Sequence, residues 1–223
     1  KVHVLSLALM PDHLHHCIVA YELADMSAFV KDYTSHFATA HNALCAWDQS
    51  LFVKPYESAP KMGDKAARSA LVYVGNNGPE RKLSIKAEEY RWSFLGYYRN
   101  PHPFSEPLKL SHASKAMRRA VSLVKDRCKR NKPLRYQTLQ WLFKPLSNKE
   151  RLQLTDYIIN IYNVIDYERA IAFFGSYETM IEAMHITKGS EYEIQEEFVG
   201  WDDKVCGQMS KVIMEQNLYE DIH

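Results

Sequence analysis

The alternation of apolar and polar positions divides the chain in two. Residues 2–10 (VHVLSLALM) form an apolar run closed by Met10-Pro11-Asp12, and residues 13–21 (HLHHCIVAY) form a second. Two such runs joined by a short turn predict a β-hairpin. Ser27 can cap a helix to about Asn42, with Val30, Tyr33, Phe37 and Ala40 on one face. Residues 43–63, punctuated by Pro55, Pro60 and Gly63, are irregular, with a candidate short strand at Leu51–Lys54. Asp64 can cap a second helix that runs through Asn77 and is closed by Gly78-Pro79. Residues 80–105 read as loop with short elements.

Beyond Pro107 the periodicity is helical throughout, with candidate helices at 112–130, 134–143, 147–165, 166–174, 176–187 and 202–218. Ser147-Asn-Lys-Glu150 is a capping box; Asp166 and Ser176 are further caps, and Gly175 separates two short helices. The lengths of helices 147–165, 166–174 and 176–187 suit either a simple bundle or a helix-turn-helix arrangement. The expected class is α+β. The expected organisation is a mixed domain over 1–108 and a helical accessory domain over 109–223.

Composition narrows the class. Of 223 residues 46% are hydrophobic and 25% charged, ordinary values for a globular chain that needs no disulfide staples. Cys17, Cys45, Cys128 and Cys206 are scattered, which predicts reduced thiols in a cytoplasmic protein and no zinc site. No apolar run approaches the roughly 18–20 residues of a membrane span, and no signal peptide is expected. The chain begins within that strand, so the natural protein is expected to start earlier.

A net charge of +1 conceals a strong asymmetry. Between Lys109 and Arg151 stand thirteen basic residues, among them Arg118, Arg119, Lys129 and Arg130, against Asp126 and Glu150. From Glu178 to Asp221 eleven acidic residues oppose Lys188, Lys204 and Lys211. The basic stretch also carries Tyr136, Trp141 and Phe143. Basic residues interleaved with aromatics are as expected of a nucleic-acid surface as of a solvated helix face.

Two short segments carry candidate chemistry. In Met10-Pro11-Asp12-His13-Leu14-His15-His16, strand alternation puts His13 and His15 on one side and His16 on the other. Two imidazoles so spaced can share a divalent metal, although a His-x-His pair alone is more often incidental. In Leu71-Val72-Tyr73-Val74-Gly75-Asn76-Asn77, Tyr73 and Asn77 are one helical turn apart. Most tyrosines are packing residues, and this chain has fourteen.

Taken in order, these segments resemble one family. MPDHLHHCI resembles the "MPNHxH" strand of the REP-associated tyrosine transposases and their insertion-sequence relatives, the single-tyrosine HUH transposases. LVYVGNNGPERKL resembles that family's "YIxxNPxxxGLV" helix end, and KAEEYRWSF (86–94) its "xxxYxWSS" segment. Trp47-Asp-Gln stands where the family has "LWQxRF". The likeness covers about residues 2–100. It departs at Asn77-Gly78-Pro79, one residue longer than the family's Asn-Pro.

The resemblance implies a ferredoxin-like antiparallel sheet with helices on one face, ahead of the helical domain. It implies Tyr73 as nucleophile, His13 and His15 as metal ligands, and Asn77 as a third. The ion would be Mg²⁺ or Mn²⁺, the imidazoles favouring Mn²⁺. The reaction would be cleavage and rejoining of single-stranded or hairpin DNA through a 5′-phosphotyrosine, in the bacterial cytoplasm at the nucleoid, by a monomer or a homodimer. A catalytically silent DNA-binding protein of the same descent is the alternative. A free phenol ionises only near about pH 10, so the nucleophile needs a base, a proton relay or a nearby cation. Trp47, Tyr90 and Trp92 are candidate stacking residues, Trp92 reading first as core. Arg68, Arg81, Lys82 and Arg91 are candidate phosphate contacts.

Overall fold

In the computed structural model, which describes residues 1–46, 48–52 and 56–186, the two apolar runs pair as expected. Strand β1 (Val2–Leu9) lies antiparallel to β2 (Leu14–Ala20). A turn closes the hairpin, the Met10 amide donating to the His13 carbonyl at 2.9 Å. The register slips between Val4 and Ser6, which oppose Ile18 and Cys17, so Leu5 is the extra residue of a bulge. Beyond the bulge Ala8 stands opposite His15 and Leu7 opposite His16.

That register decides which helix each histidine meets. Ala8, fully buried, clusters with Met10, Val74 and Tyr90, so the face carrying Ala8 and His15 packs on helix α2 (Gly63–Glu80). His16, on the other face, lies 6.3 and 6.0 Å from the rings of Phe29 and Tyr33 in helix α1 (Leu23–Cys45). The first two helices therefore meet opposite faces of the hairpin, where a ferredoxin-like fold was expected to set them on one. Among the described residues there is one sheet, of two strands. Its outer edge is met at one point, where Ile165 bridges Val4 and the Asp166 amide donates to the Val4 carbonyl at 2.8 Å.

Helix α1 begins four residues before Ser27 and buries only Val30; Phe37 is exposed. Helix α2 starts at Gly63, one residue ahead of Asp64, and does not stop at Gly78-Pro79. It continues to Glu80 because a proline in the last turn forfeits a single backbone bond. The Arg81 amide still reaches the Asn77 carbonyl at 3.2 Å. Single 3₁₀ turns follow at Ala87–Glu89, Arg91–Ser93, Leu95–Tyr97 and Leu110–His112.

Among the described residues five more helices follow in this α+β fold: α3 (Lys115–Lys129), α4 (Tyr136–Phe143), α5 (Asn148–Tyr162), α6 (Tyr167–Ala172) and α7 (Tyr177–Ile186). The capping box at Ser147 and Glu150 forms, and Asp166 caps α6 by accepting from the Arg169 amide at 3.2 Å. Gly175, at φ +85°, turns the chain between α6 and α7.

Among the described residues the chain is helical from near 109 onward, but its packing does not divide there. Helices α3, α4 and α5 form one core around Met117, Val124, Leu142 and Leu154. Ala170 and Ile171 of α6, with Met180, Ile181 and Met184 of α7, instead join Leu5, Leu71 and Val72. Residues 1–186 are one compact unit, and the last three described helices are shared between two cores rather than set as a helix-turn-helix. Between the cores stands Asp156, wholly buried on α5. It accepts the Tyr97 hydroxyl at 2.8 Å and the Phe104 amide at 3.0 Å, and pairs with Arg91 at 3.3 Å. No helix among the described residues is long and apolar enough to cross a membrane. The candidate helix 202–218 and the candidate strand at 51–54 fall wholly or partly outside the described residues.

Candidate active site

The hairpin turn and helix α2 bring three rings together. His13 and His15 stand edge to face with centroids 4.8 Å apart. The His15 ring is in turn edge-on to Tyr73, with centroids 5.4 Å apart and planes at 83°. The strand alternation that joined the histidines in the sequence is thus extended to a residue sixty positions away by the packing of α2 on the Ala8 face.

Tyr73 occupies an unusual place on its helix. From Leu71 to Gly78 the other seven residues are buried, while Tyr73 is 47% exposed. A tyrosine placed only for packing would bury its ring on so enclosed a segment. Here the ring lies across His15 and opens to solvent.

Each imidazole has a distinct environment. Asp12 Oδ1 is 2.6 Å from His13 Nδ1 at the tip of the turn. This hydrogen bond, aided by the nearby charges of His13 and Arg81, holds the exposed Asp12 carboxyl below the usual carboxylate range. A carboxylate on Nδ1 orients the ring and leaves Nε2 as the outward nitrogen. Burial pushes the His15 imidazole below its ordinary value, with further depression from His13, His16 and Arg81. His15 is therefore neutral at physiological pH, the protonation state that a metal ligand or a proton acceptor requires. Arg81, exposed at the C-terminal end of α2, puts a positive charge near both Asp12 and His15.

Tyr90 ties the two halves of the site together. Its ring packs on Gly78, where an added Cβ would come within 2.7 Å of the Tyr90 Cβ and Cγ. Its hydroxyl donates to the Leu9 carbonyl at 2.6 Å, one residue before the Met10–His13 turn. Gly78, read from the sequence as a helix stop, is the gap in α2 that admits this ring. The signal was a glycine inside an otherwise good helix, a position usually explained by close approach.

The remaining candidates are placed differently. Asn77 is buried, and its Nδ2 donates to the Tyr73 carbonyl at 2.9 Å and the Val74 carbonyl at 3.4 Å. Its amide is engaged by its own helix, because extension of α2 through Gly78 keeps it within a packed turn. Among the described residues no three His, Cys, Asp or Glu side chains gather as a metal-holding group. The donors the fold brings together are the two imidazoles, with Asp12 behind one of them.

Arg91 pairs with Asp156 and lies 5.0 Å over the Phe104 ring, so its charge is turned inward. Arg68 is half-buried and donates to the Phe173 carbonyl at 3.4 Å. Tyr90 is buried, whereas Trp92, read as core, is 42% exposed. Lys82 is exposed just past the end of α2. Trp47 lies outside the described residues. Arg118, Arg119 and Lys129 are exposed on α3, and Arg130 on its C-cap, within the other core's helices. No protein-family model, no curated protein and no solved structure matches this chain.

Proposed function

We propose that this protein cleaves and rejoins single-stranded DNA, with Tyr73 as the nucleophile and with His13 and His15 as the protein ligands of Mg²⁺ or Mn²⁺. The observation that carries the reading is the exposed Tyr73 ring, standing against His15 on a helix segment otherwise buried. The donor set fits a divalent cation with open positions: one imidazole oriented by Asp12, the other kept neutral by burial. Bound there, such a cation would supply Lewis-acid stabilisation to the non-bridging oxygens of a phosphodiester.

The chain's own groups account for the rest. The Tyr73 hydroxyl oxygen attacks phosphorus, and its proton passes to solvent. The bond from phosphorus to the 3′-oxygen breaks, and that oxygen leaves and takes up a proton from solvent. The product is a 5′-phosphotyrosine and a free 3′-hydroxyl. Attack by another 3′-hydroxyl reverses the step and joins a different strand, with no nucleotide cofactor consumed. Arg81 adds positive charge beside the phosphate, and Asn77 braces the helical turn that presents Tyr73. The sequence resemblance further supports a hairpin-bearing substrate, an HUH-type fold to which the β1–β2 hairpin and α2 would belong, and work at the bacterial nucleoid.

The second reading, a DNA-binding protein of the same descent that does not cut, draws on the placement of Asn77, which leaves two protein donors where the family pattern has three. One experiment separates them. The full chain is incubated with Mn²⁺ and a pool of 3′-fluorescent oligonucleotides, each a hairpin followed by a random single strand. A covalent adduct on a denaturing gel, mapped to Tyr73 by mass spectrometry, is the expected result. It disappears with EDTA and in Tyr73→Phe. Binding of the pool without any adduct would favour the silent reading.

A further inference from the structure

Helix α3 does not look like a solvated helix face. Its buried positions, Met117, Ala120, Val121 and Val124, form one narrow stripe. The exposed positions between 115 and 130 include Lys115, Arg118, Arg119, Lys125, Lys129 and Arg130, with Asp126 as the one acid. With about 3.6 residues per turn, these six cations fall on one side of the helix, opposite the buried stripe. Among the described residues the one ion pair on this side is Arg130 to Asp126, at 3.0 Å. Surface helices usually mix signs, so that neighbours one turn apart attract; this one repels itself along its length.

The first turn sharpens the point. It carries no acidic residue, and Lys115 is its first position. A cation there opposes the helix dipole, so helix stability does not account for it. Glu150, the other acid of the basic stretch, is engaged in the capping box and by the Ser114 amide at 3.0 Å. The self-repulsion calls for an external anion.

An aromatic platform adjoins the stripe. The Arg119 guanidinium lies 4.7 Å over the Trp141 ring of α4, and Trp141 is nevertheless 47% exposed. Tyr136, on the same short helix, is 49% exposed. An exposed indole beside an arginine of the stripe suits bases that are free to stack, which a duplex withholds.

We infer that the exposed side of α3, with Trp141 of α4, is a binding surface for single-stranded nucleic acid, the cations following the phosphates and Trp141 stacking on a base. This inference does not depend on strand transfer at Tyr73. Its test is fluorescence anisotropy of the full chain with fluorescein-labelled oligothymidine and with a duplex of equal length, in EDTA, so that no metal-dependent chemistry enters.

The oligothymidine is expected to bind more tightly than the duplex. With Arg119 on Trp141 and Arg130 in its ion pair, four cations remain for phosphates, so its binding constant should fall with salt at a log–log slope of about −3. The triple variant Lys115→Gln, Arg118→Gln, Lys129→Gln should weaken binding at least roughly ten-fold and flatten the slope by about 2, the share of three phosphates. Trp141→Ala should weaken binding roughly five-fold or more, the loss of one stacked base, and leave the slope unchanged. All these positions are exposed, and circular dichroism is the check that the variants fold. Unaltered affinity in the triple variant would overturn the inference. So would a duplex bound as tightly as the single strand with Trp141→Ala without effect.

Discussion

The ring of His15 stands edge-on to the ring of Tyr73, and the two lie 58 residues apart in sequence. Tyr73 is half exposed where its helix is otherwise enclosed. Its hydroxyl is therefore expected to contribute to chemistry and little to stability. Tyr73→Phe should shift the free energy of unfolding by less than about 0.5 kcal/mol while abolishing the covalent DNA adduct. A large loss of stability in urea titrations would mean that the hydroxyl is structural.

Asp12 sits behind His13 as an orienting group, at 2.6 Å from Nδ1. Asp12→Ala should lower Mn²⁺ affinity by roughly 10- to 100-fold, the usual effect of removing such a partner. Electron paramagnetic resonance of free Mn²⁺ measures this directly. An unchanged affinity would remove Asp12 from the site.

Two glycines of α2 should respond differently to alanine. At Gly78 the new methyl meets the base of the Tyr90 ring at 2.7 Å, where nothing can swing away. Gly78→Ala should cost about 1–3 kcal/mol, as overpacking does, and slow adduct formation by loosening Tyr90 from the Leu9 carbonyl. At Gly75 the methyl meets the flexible end of Met184 at 2.6 Å. There the helix preference for alanine, about 1 kcal/mol, offsets the contact, and Gly75→Ala should be near neutral. Thermal melting of both variants decides it; equal costs would contradict the described fit of Tyr90.

Asp156 joins the two cores by holding Tyr97, Arg91 and the Phe104 amide. Asp156→Ala leaves the largely buried Arg91 guanidinium without its counter-charge, a loss of about 3–5 kcal/mol. Asp156→Asn keeps an acceptor and should lose less. A change under about 1 kcal/mol in Asp156→Ala, on the same scale, would show that the network contributes little.

Acid should weaken the fold in a defined window. Burial lowers the affinity of both His15 and His16 for protons in the folded state. In the unfolded chain an imidazole ionises at about 6.5. Below that pH the unfolded state binds more protons, so stability is complete above it and declines as pH falls toward the depressed folded values. Carboxylates such as Asp12, held low by His13, enter only below about pH 4. His16→Phe, set between Phe29 and Tyr33, should flatten the fall of the urea midpoint between pH 7 and 5. A slope as steep as the parent's would exclude His16 as a source.

The amino-acid sequence by itself determined the hairpin, the shared side of His13 and His15, the capped starts of α5, α6 and α7, and the concentration of positive charge along α3. These follow from periodicity and from side chains bonding to backbone within a few residues, which are local properties. Only the tertiary structure decided that α2 runs through Gly78 and Pro79, that Tyr90 fills the space left at Gly78, and that α6 and α7 complete the core around Leu71 and Val72. It also turned Arg91 inward to Asp156 and engaged Asn77 within its own helix. Hydrophobic periodicity says that a face is covered but not by what. The exposure of Tyr73 amid seven buried neighbours is a property of the elements packed around it.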